Sequence, residues 1–266
     1  MELLLKAALL GVVEGITEFL PISSTGHLIL VNQFINFTGD YAAMFDVVIQ
    51  LGAIFSVIVY FWNRLWPFRS GQSGEVWDVW KKTIAGVIPA LLIGGILGHK
   101  VEELLFNPWV VASALLAGGV VLIIVENQTR QASISAVPAL SYKTAALIGL
   151  IQCLAMIPGT SRSAATIIGA MLLGCSRKTA AEFSFFLAIP TMFAASAYSL
   201  LKTGTSLTSQ EWMALAVGFA VSFLVAWGVI AAFMGYIQRR DFKPFAWYRI
   251  ILAMLVVAWF GRHLIH

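Results

Sequence analysis

Long apolar runs occupy roughly 42–63, 83–99, 109–126, 182–201, 212–235 and 246–264 of the chain. Each is near the length of about twenty residues that crosses a bilayer as a helix, so they predict six membrane spans. Four shorter apolar stretches behave differently. Residues 3–20 and 26–36 flank one polar block, Glu14-Gly-Ile-Thr-Glu18-Phe-Leu-Pro21-Ile-Ser23-Ser24-Thr25-Gly26-His27. Residues 144–157 and 163–175 flank a second, Pro158-Gly159-Thr160-Ser161-Arg162-Ser163-Ala-Ala-Thr166. These stretches are too short to span comfortably, and Pro-Gly-Ser chemistry at each break forces a turn. They read as two re-entrant helical hairpins, whose irregular backbone is tolerated at membrane depth only when buried in protein or facing a wet cavity.

Composition agrees with this pattern. Hydrophobic residues are 59% of the 266 and charged residues 11%, against about 25% charged in a soluble domain. The expectation is an all-α integral membrane protein forming one membrane domain over 1–266. The formal charge of +4 is spread over short loops, which gives no face for nucleic acid. Cys153 and Cys175 offer no disulfide framework or ligand spacing and read as packing residues. The start, Met1-Glu2-Leu-Leu-Leu-Lys6, is not expected to be a cleaved signal peptide. Trp62, Trp66 and Trp109 sit near span ends, as interfacial aromatics do.

Loop charge sets an orientation. Arg64, Arg69, Lys81, Lys82, Arg130, Lys143, Arg177, Lys178, Arg239, Arg240 and Lys243 fall in four loops, whereas the opposite loops hold only Lys100 with Glu102 and Glu103, and Lys202 with Glu211. The positive-inside rule places 64–82, 127–143, 176–181 and 236–245 in the cytoplasm. One hairpin then enters from outside and the other from inside. The halves 1–126 and 143–266, joined by a cytoplasmic connector at about 127–142, share a plan of hairpin plus three spans and form an inverted repeat. Such repeats place a shared site where their broken segments meet. Gly11-Val-Val-Glu14 echoes Gly149-Leu-Ile-Gln152, and Phe45-Asp46 with its following residues echoes Glu182-Phe183-Ser184.

The candidate chemistry lies in the two polar blocks, because ionisable groups at membrane depth cost about 2.5–3.5 kcal/mol each on insertion scales and mark function. Glu14 and Glu18, four apart, share a helix face. A carboxylate pair in low dielectric needs a shared proton or a cation between its members, so the pair suits a general base, a divalent-metal site, or both. Ser23, Ser24 and Thr25 open a new helix, where hydroxyls cap and free N–H groups favour an anion. A serine needs a base to become a nucleophile; Ser24 is slightly favoured over Ser23 and Thr25, with Glu18 and His27 both candidates for that base, and a water activated by Glu18 is open as well. His27 suits a general acid, a phosphate donor or a phospho-accepting nucleophile. Arg162, between Ser161 and Ser163, suits bidentate phosphate binding or a salt bridge to Glu14 or Glu18. Gly159 permits the turn, and Asp46, Gln50, Gln152, Thr166 and Glu182 are expected around this centre. His99, His263 and His266 read as bland.

The runs Gly11–His27 and Pro158–Thr166, with Val48-Ile-Gln-Leu-Gly52 and Ala181-Glu-Phe-Ser-Phe185, resemble the signature motifs of the undecaprenyl-diphosphate phosphatase family of bacitracin-resistance type. The resemblance covers nearly the whole chain. It implies a multi-pass enzyme of the bacterial plasma (inner) membrane, with its active site opening to the outer face. The enzyme would remove the terminal phosphate of undecaprenyl diphosphate, a polyprenyl lipid carrier for peptidoglycan synthesis. It implies Glu14, Glu18, Ser24, His27 and Arg162 as the catalytic set, and the polar blocks themselves offer Arg162, Ser23, Thr25, Ser161, Ser163, Thr166 and Gly159, with Gln50, as substrate contacts. It further implies use of Mg²⁺ or Ca²⁺, for which the Glu14 and Glu18 pair is the candidate site, and a homodimer. A phosphatidic-acid-phosphatase-type site fails, because no His and Asp follow Ser161-Arg162 in the required pattern. A secondary transporter or flippase for a lipid phosphate is the alternative from another class, since it shares the architecture but releases no phosphate. A structural subunit would have no use for four ionisable groups at membrane depth.

Overall fold

The structure is a computed structural model that describes residues 1–68, 73–105, 107–128, 131–203 and 207–262. Arg69 and Arg130, counted in the cytoplasmic charge bias, lie outside the described residues, as do His263, His266 and the last residues of the expected span 246–264.

Six helices are long and apolar enough to cross a membrane: α3 (Asp40–Tyr60), α5 (Ser73–Leu105), α6 (Pro108–Asn127), α9 (Arg177–Thr203), α10 (Ser209–Tyr236) and α11 (Lys243–Arg262). All six match the apolar runs. α5 begins ten residues ahead of its run. Glu75, Asp78, Lys81 and Lys82 lower the hydropathy there, but they interleave with Val76, Val79 and Trp80 at helical spacing, so the helix continues while its polarity rises. A short helix, α4 (Trp62–Leu65), was not legible in the pattern. Helix starts carry their own caps. Asn107 accepts from the Val110 N–H ahead of Pro108, and Thr208 with Glu211 forms a reciprocal capping box.

The polar blocks do break helices. α1 (Glu2–Thr17) and α2 (Ser24–Phe34) flank the first; α7 (Tyr142–Gln152), a 3₁₀ turn (Cys153–Met156) and α8 (Arg162–Leu172) flank the second. The open ends of the two pairs lie at opposite ends of the bundle. α6 and α11 run antiparallel, with Ala246 against Gly119 and Arg249 against Leu115. At the Pro108 end, Phe34 of α2 packs in a tilted arrangement against Trp259 of α11. At the Asn127 end, Arg177, just after α8, pairs with Glu126 of α6.

Helix pairing in the two halves corresponds. α1 packs on α10 as α7 packs on α5; α10 packs on α3 as α5 packs on α9; α3 meets α9 and α6 meets α11. The close crossings are made by glycine. A Cβ on Gly149 of α7 would lie 1.7 Å from the Gly86 carbonyl oxygen of α5, and one on Gly11 of α1 would lie 2.6 Å from the Gly218 carbonyl oxygen of α10. Small residues let backbones approach this closely where lipid supplies no hydrophobic drive between helices. The interior is filled from α3 and α9, where Ala53, Ile54 and Val57 meet Phe183, Phe185 and Phe186.

Candidate active site

Two N-caps with one unusual backbone build the site. Ser23 (φ 73°) and Ser161 (φ 71°) lie in the left-handed region, uncommon for residues bearing a side chain. Each hydroxyl accepts a hydrogen bond from the N–H three residues on, Gly26 and Ala164 respectively. Strained backbone of this kind persists where surroundings over-determine it, commonly at functional sites. Gly159 (φ 91°) completes the second turn, and a Cβ there would lie 2.4 Å from the Val111 carbonyl oxygen.

The caps aim the next residues at each other. Ser24 Oγ donates to Glu18 Oε2 at 2.5 Å, and Arg162 Nη2 donates to Glu18 Oε1 at 2.8 Å. The Glu18 carboxylate thus joins the two polar blocks, with one oxygen on a hydroxyl and the other on a guanidinium. All three side chains are buried or nearly so. Arg162 is held from behind, as its Nη1 donates to the Ser184 carbonyl at 2.8 Å and reaches Ser184 Oγ at 3.4 Å. Ser184 Oγ lies 2.6 Å from Thr166 Oγ1, which donates to the Arg162 carbonyl at 2.9 Å. Arg162 Nε is buried without a partner, which leaves a donor available. Ser161 Oγ lies 3.0 Å from Ser163 Oγ, and Ser163 donates across to the Leu20 carbonyl at 2.9 Å.

Glu14 is fully buried, and neither carboxylate oxygen has a partner. Asp46 Oδ2 accepts from Asn32 Nδ2 at 2.6 Å. His27 turns away from Ser24. Its Nδ1 donates to the Ser23 carbonyl at 2.7 Å, and its Nε2 meets the Tyr248 hydroxyl at 2.7 Å, the two rings stacked. Of the two bases open in the sequence, Glu18 is the one hydrogen-bonded to Ser24. Thr25 and Gln50 make no side-chain hydrogen bond among the described residues. Gln152 reaches Thr191 at 3.4 Å, and Glu182 pairs with Arg64 of α4 at 2.7 Å, outside the network of Glu18.

The fit to a divalent cation is partial. Glu14 presents two unpartnered oxygens, whereas both oxygens of Glu18 are engaged by Ser24 and Arg162. Among the described residues, no group of three or more His, Cys, Asp or Glu side chains is placed to hold a metal ion. Hard cations take six or more oxygens, so a ligand that brings its own phosphate oxygens suits one free carboxylate.

Arg249 of α11 was not singled out in the sequence. It is fully buried, and its guanidinium donates only to main-chain carbonyls: Leu115 at 3.3 Å, Pro21 at 3.3 Å, Ala114 at 3.1 Å and Gly159 at 3.1 Å. It therefore ties both breaks to the second turn of α6. A charge inside the run 246–264 was the available signal, by the same cost argument that marked Arg162. Tyr248 and Ser184 carried no such signal, since aromatic and hydroxyl residues are ordinary in spans.

Comparison with known proteins is extensive. Residues 7–255 match the family model described as bacitracin resistance protein BacA. The chain is 49% identical over 265 residues to an undecaprenyl-diphosphatase of Lachnoclostridium phytofermentans, covering 97% of each. It is 50% identical over 265 residues to one of Acetivibrio thermocellus, again covering 97% of each. It is also 50% identical over 261 residues to undecaprenyl-diphosphatase 1 of Clostridioides difficile, covering 96% of this chain and 95% of that one.

Proposed function

The chain belongs to the bacitracin resistance protein BacA family, and on that footing we propose that it hydrolyses undecaprenyl diphosphate to undecaprenyl phosphate and inorganic phosphate. The observation that carries the reading to particular residues is the Glu18 carboxylate held between Ser24 and Arg162. The relatives' names favour hydrolysis over lipid-phosphate transport.

Ser24 Oγ attacks the terminal phosphorus in line while its proton passes to Glu18. The Oγ–P bond forms, the bridging P–O bond breaks, and undecaprenyl phosphate leaves. Protonated Glu18 holds Arg162 less tightly, so the guanidinium turns its fork to the equatorial oxygens as charge develops on them. Glu18 gives that proton to the departing undecaprenyl phosphate and, again a carboxylate, takes a proton from the water that attacks the phosphoserine; the Oγ–P bond breaks, the proton passes from Glu18 to Ser24 Oγ, and inorganic phosphate leaves. Arg162 Nε and the N–H groups at the starts of α2 and α8 hold the diphosphate. His27 exchanges Tyr248 for a phosphate oxygen at the edge of the site. Mg²⁺ or Ca²⁺, held by Glu14 together with diphosphate oxygens, would neutralise part of the substrate charge.

The two broken helix pairs are read as re-entrant hairpins of an inverted repeat, in a single membrane domain of the bacterial plasma membrane. Their opposed open ends and the corresponding helix pairings support this. The site is read as opening to the outer face. The breaks meet the first two turns of α6, whose Pro108 end lies away from the basic loops. A homodimer rests on the family alone.

The test is phosphate release from undecaprenyl diphosphate by purified protein in detergent. Release by wild type that collapses in folded Glu18→Gln and Arg162→Ala supports the assignment. No release with Mg²⁺ or Ca²⁺ supplied would overturn it.

A further inference from the structure

Ser184 is a hydroxyl set among phenylalanines. Phe183, Phe185 and Phe186 flank it on α9, and all four residues are fully buried. Its polar neighbours come from α8, which packs on α9. Thr166, one turn after Arg162 on α8, is fully buried as well.

Counting protons gives their bonds a direction. A threonine hydroxyl has one proton. Thr166 Oγ1 sends it to a main-chain carbonyl, that of Arg162 at 2.9 Å or of Ser163 at 3.2 Å. The 2.6 Å contact between Thr166 Oγ1 and Ser184 Oγ therefore takes its proton from Ser184. Ser184 Oγ then has only lone pairs for Arg162 Nη1, which lies 3.4 Å away and also donates to the Ser184 carbonyl at 2.8 Å. The bonds run from Arg162 Nη1 to Ser184 Oγ, on to Thr166 Oγ1 and back to the Arg162 carbonyl, a ring that begins and ends on one residue. A buried hydroxyl on a helix commonly bonds back to a carbonyl one turn earlier, as Thr166 does. Ser184 makes no such bond among the described residues and crosses to α8 instead.

The ring leaves one edge of the guanidinium uncommitted. Nε and Nη2 share an edge of the planar fork, and Nη1 is the opposite corner. Nε is buried without a partner, and Nη2 is held by Glu18 Oε1 at 2.8 Å. Buried donors are nearly always paired, so an orphan at this place calls for a use.

We propose that Ser184, together with Thr166, is a positioning residue for the phosphoryl transfer: it holds Nη1 of Arg162 so that the Nε–Nη2 edge faces the phosphate. The proposal rests on the phosphatase reading of the same site. Neither hydroxyl touches substrate, and Thr166 acts through Arg162 rather than as a phosphate contact. Nε is in place before substrate arrives, and Nη2 joins it while Glu18 carries the Ser24 proton. The edge is complete only as charge develops on the phosphoryl oxygens, so loss of the ring appears in kcat rather than in KM.

The test measures phosphate release from undecaprenyl diphosphate by Thr166→Val, Thr166→Ser and Ser184→Ala, each in wild type and in Arg162→Lys. Lysine is a point donor without a fork, so nothing at 162 remains to be oriented. The expected result for Thr166→Val and Ser184→Ala is a kcat lowered about tenfold with KM within about twofold of wild type, as loss of an interaction made in the transition state gives. Thr166→Ser, which keeps the hydroxyl, should hold kcat within about threefold of wild type. In Arg162→Lys, read by single turnover with enzyme in excess, Thr166→Val and Ser184→Ala should change the rate by less than about twofold. A merely structural role lowers the rate by the same factor in both backgrounds, and that result would overturn the positioning. A wild-type kcat in Thr166→Val, or equal losses in Thr166→Val and Thr166→Ser, would overturn it too. Should Ser184→Ala fail to fold, the two Thr166 variants decide alone. Wild type that releases no phosphate would instead remove the phosphatase reading, and the positioning with it.

Discussion

Glu18 and Arg162 lie 144 residues apart in sequence and 2.8 Å apart in space, each on a different broken helix pair. The contact is the smallest unit in which the two halves of the chain act together. Its charges are largely shut from water, so each depends on the other, and removing one strands its partner. The third member is Ser24, on the remaining oxygen of Glu18.

Ser24 and Glu18 should therefore behave as one device. Each of Ser24→Ala and Glu18→Gln is expected to slow phosphate release by about 10²-fold or more, the range lost with a general base or its nucleophile. The double variant should be little slower than either single one, because residues that act in one step are non-additive. Single-turnover release from the three variants checks this. A double variant slowed by the product of the two single effects would separate Ser24 from Glu18.

Arg249 is expected to be structural first and catalytic through that. Its four carbonyl partners come from both breaks and from α6, with no carboxylate among them. Arg249→Met keeps much of the volume but removes the donor to the break carbonyls of Pro21 and Gly159, at about 1–3 kcal/mol for each that finds no replacement, while the Ala114 and Leu115 carbonyls keep their helical N–H partners. The thermal midpoint in detergent should fall, and release should fall with it at temperatures where the protein remains folded. Arg249→Lys, a point donor that cannot span four carbonyls, should lie between. An unchanged midpoint in Arg249→Met would show that the carbonyls find other donors.

Hydropathy alone marked the six spans, because runs of Val, Ile, Leu and Phe near twenty residues have few other uses. It also marked both breaks, where Pro21 and Pro158 stand among hydroxyls in otherwise apolar sequence. The start of α5 was hidden because a helix can pass from apolar to charged surroundings without ending. Within the site, cost at membrane depth singled out Glu14, Glu18, His27 and Arg162. It left open whether Glu18 or His27 serves Ser24, and the partner that His27 has in the structure lies 221 positions away. His27 Nε2 meets the Tyr248 hydroxyl of α11, and Ser24 donates to Glu18. Arg249 satisfied the same cost rule inside a longer apolar run, where a single charge is easily read past.

Helix contact through glycine gives a prediction independent of chemistry. A Cβ at Gly149 would sit 1.7 Å from the Gly86 carbonyl oxygen, a backbone atom that cannot swing aside. Gly149→Leu must part α7 from α5 and carry the second break with it, so the expected cost is at or above the usual 1–3 kcal/mol, roughly, of overpacking. Gly235→Leu, at a position with nothing near its Cβ, should retain the wild-type midpoint. Equal midpoints for the two variants in thermal unfolding would show that α5 and α7 do not depend on that crossing.

Glu14 separates binding of a cation from proton transfer. Its two oxygens are buried and unpartnered, while those of Glu18 are taken. If Glu14 helps hold Mg²⁺ beside the diphosphate, Glu14→Gln keeps one neutral oxygen where a charged carboxylate stood. The expected outcome is a half-saturating Mg²⁺ concentration raised about tenfold or more, with most of the wild-type rate recovered at saturation, because hard cations favour charged oxygen donors. Glu18→Gln should do the reverse, losing rate at every Mg²⁺ concentration. EDTA should abolish release by wild type, and added Mg²⁺ should restore it. A Glu14→Gln protein with the wild-type Mg²⁺ dependence would assign Glu14 to the packing of α1 against α10 rather than to the cation.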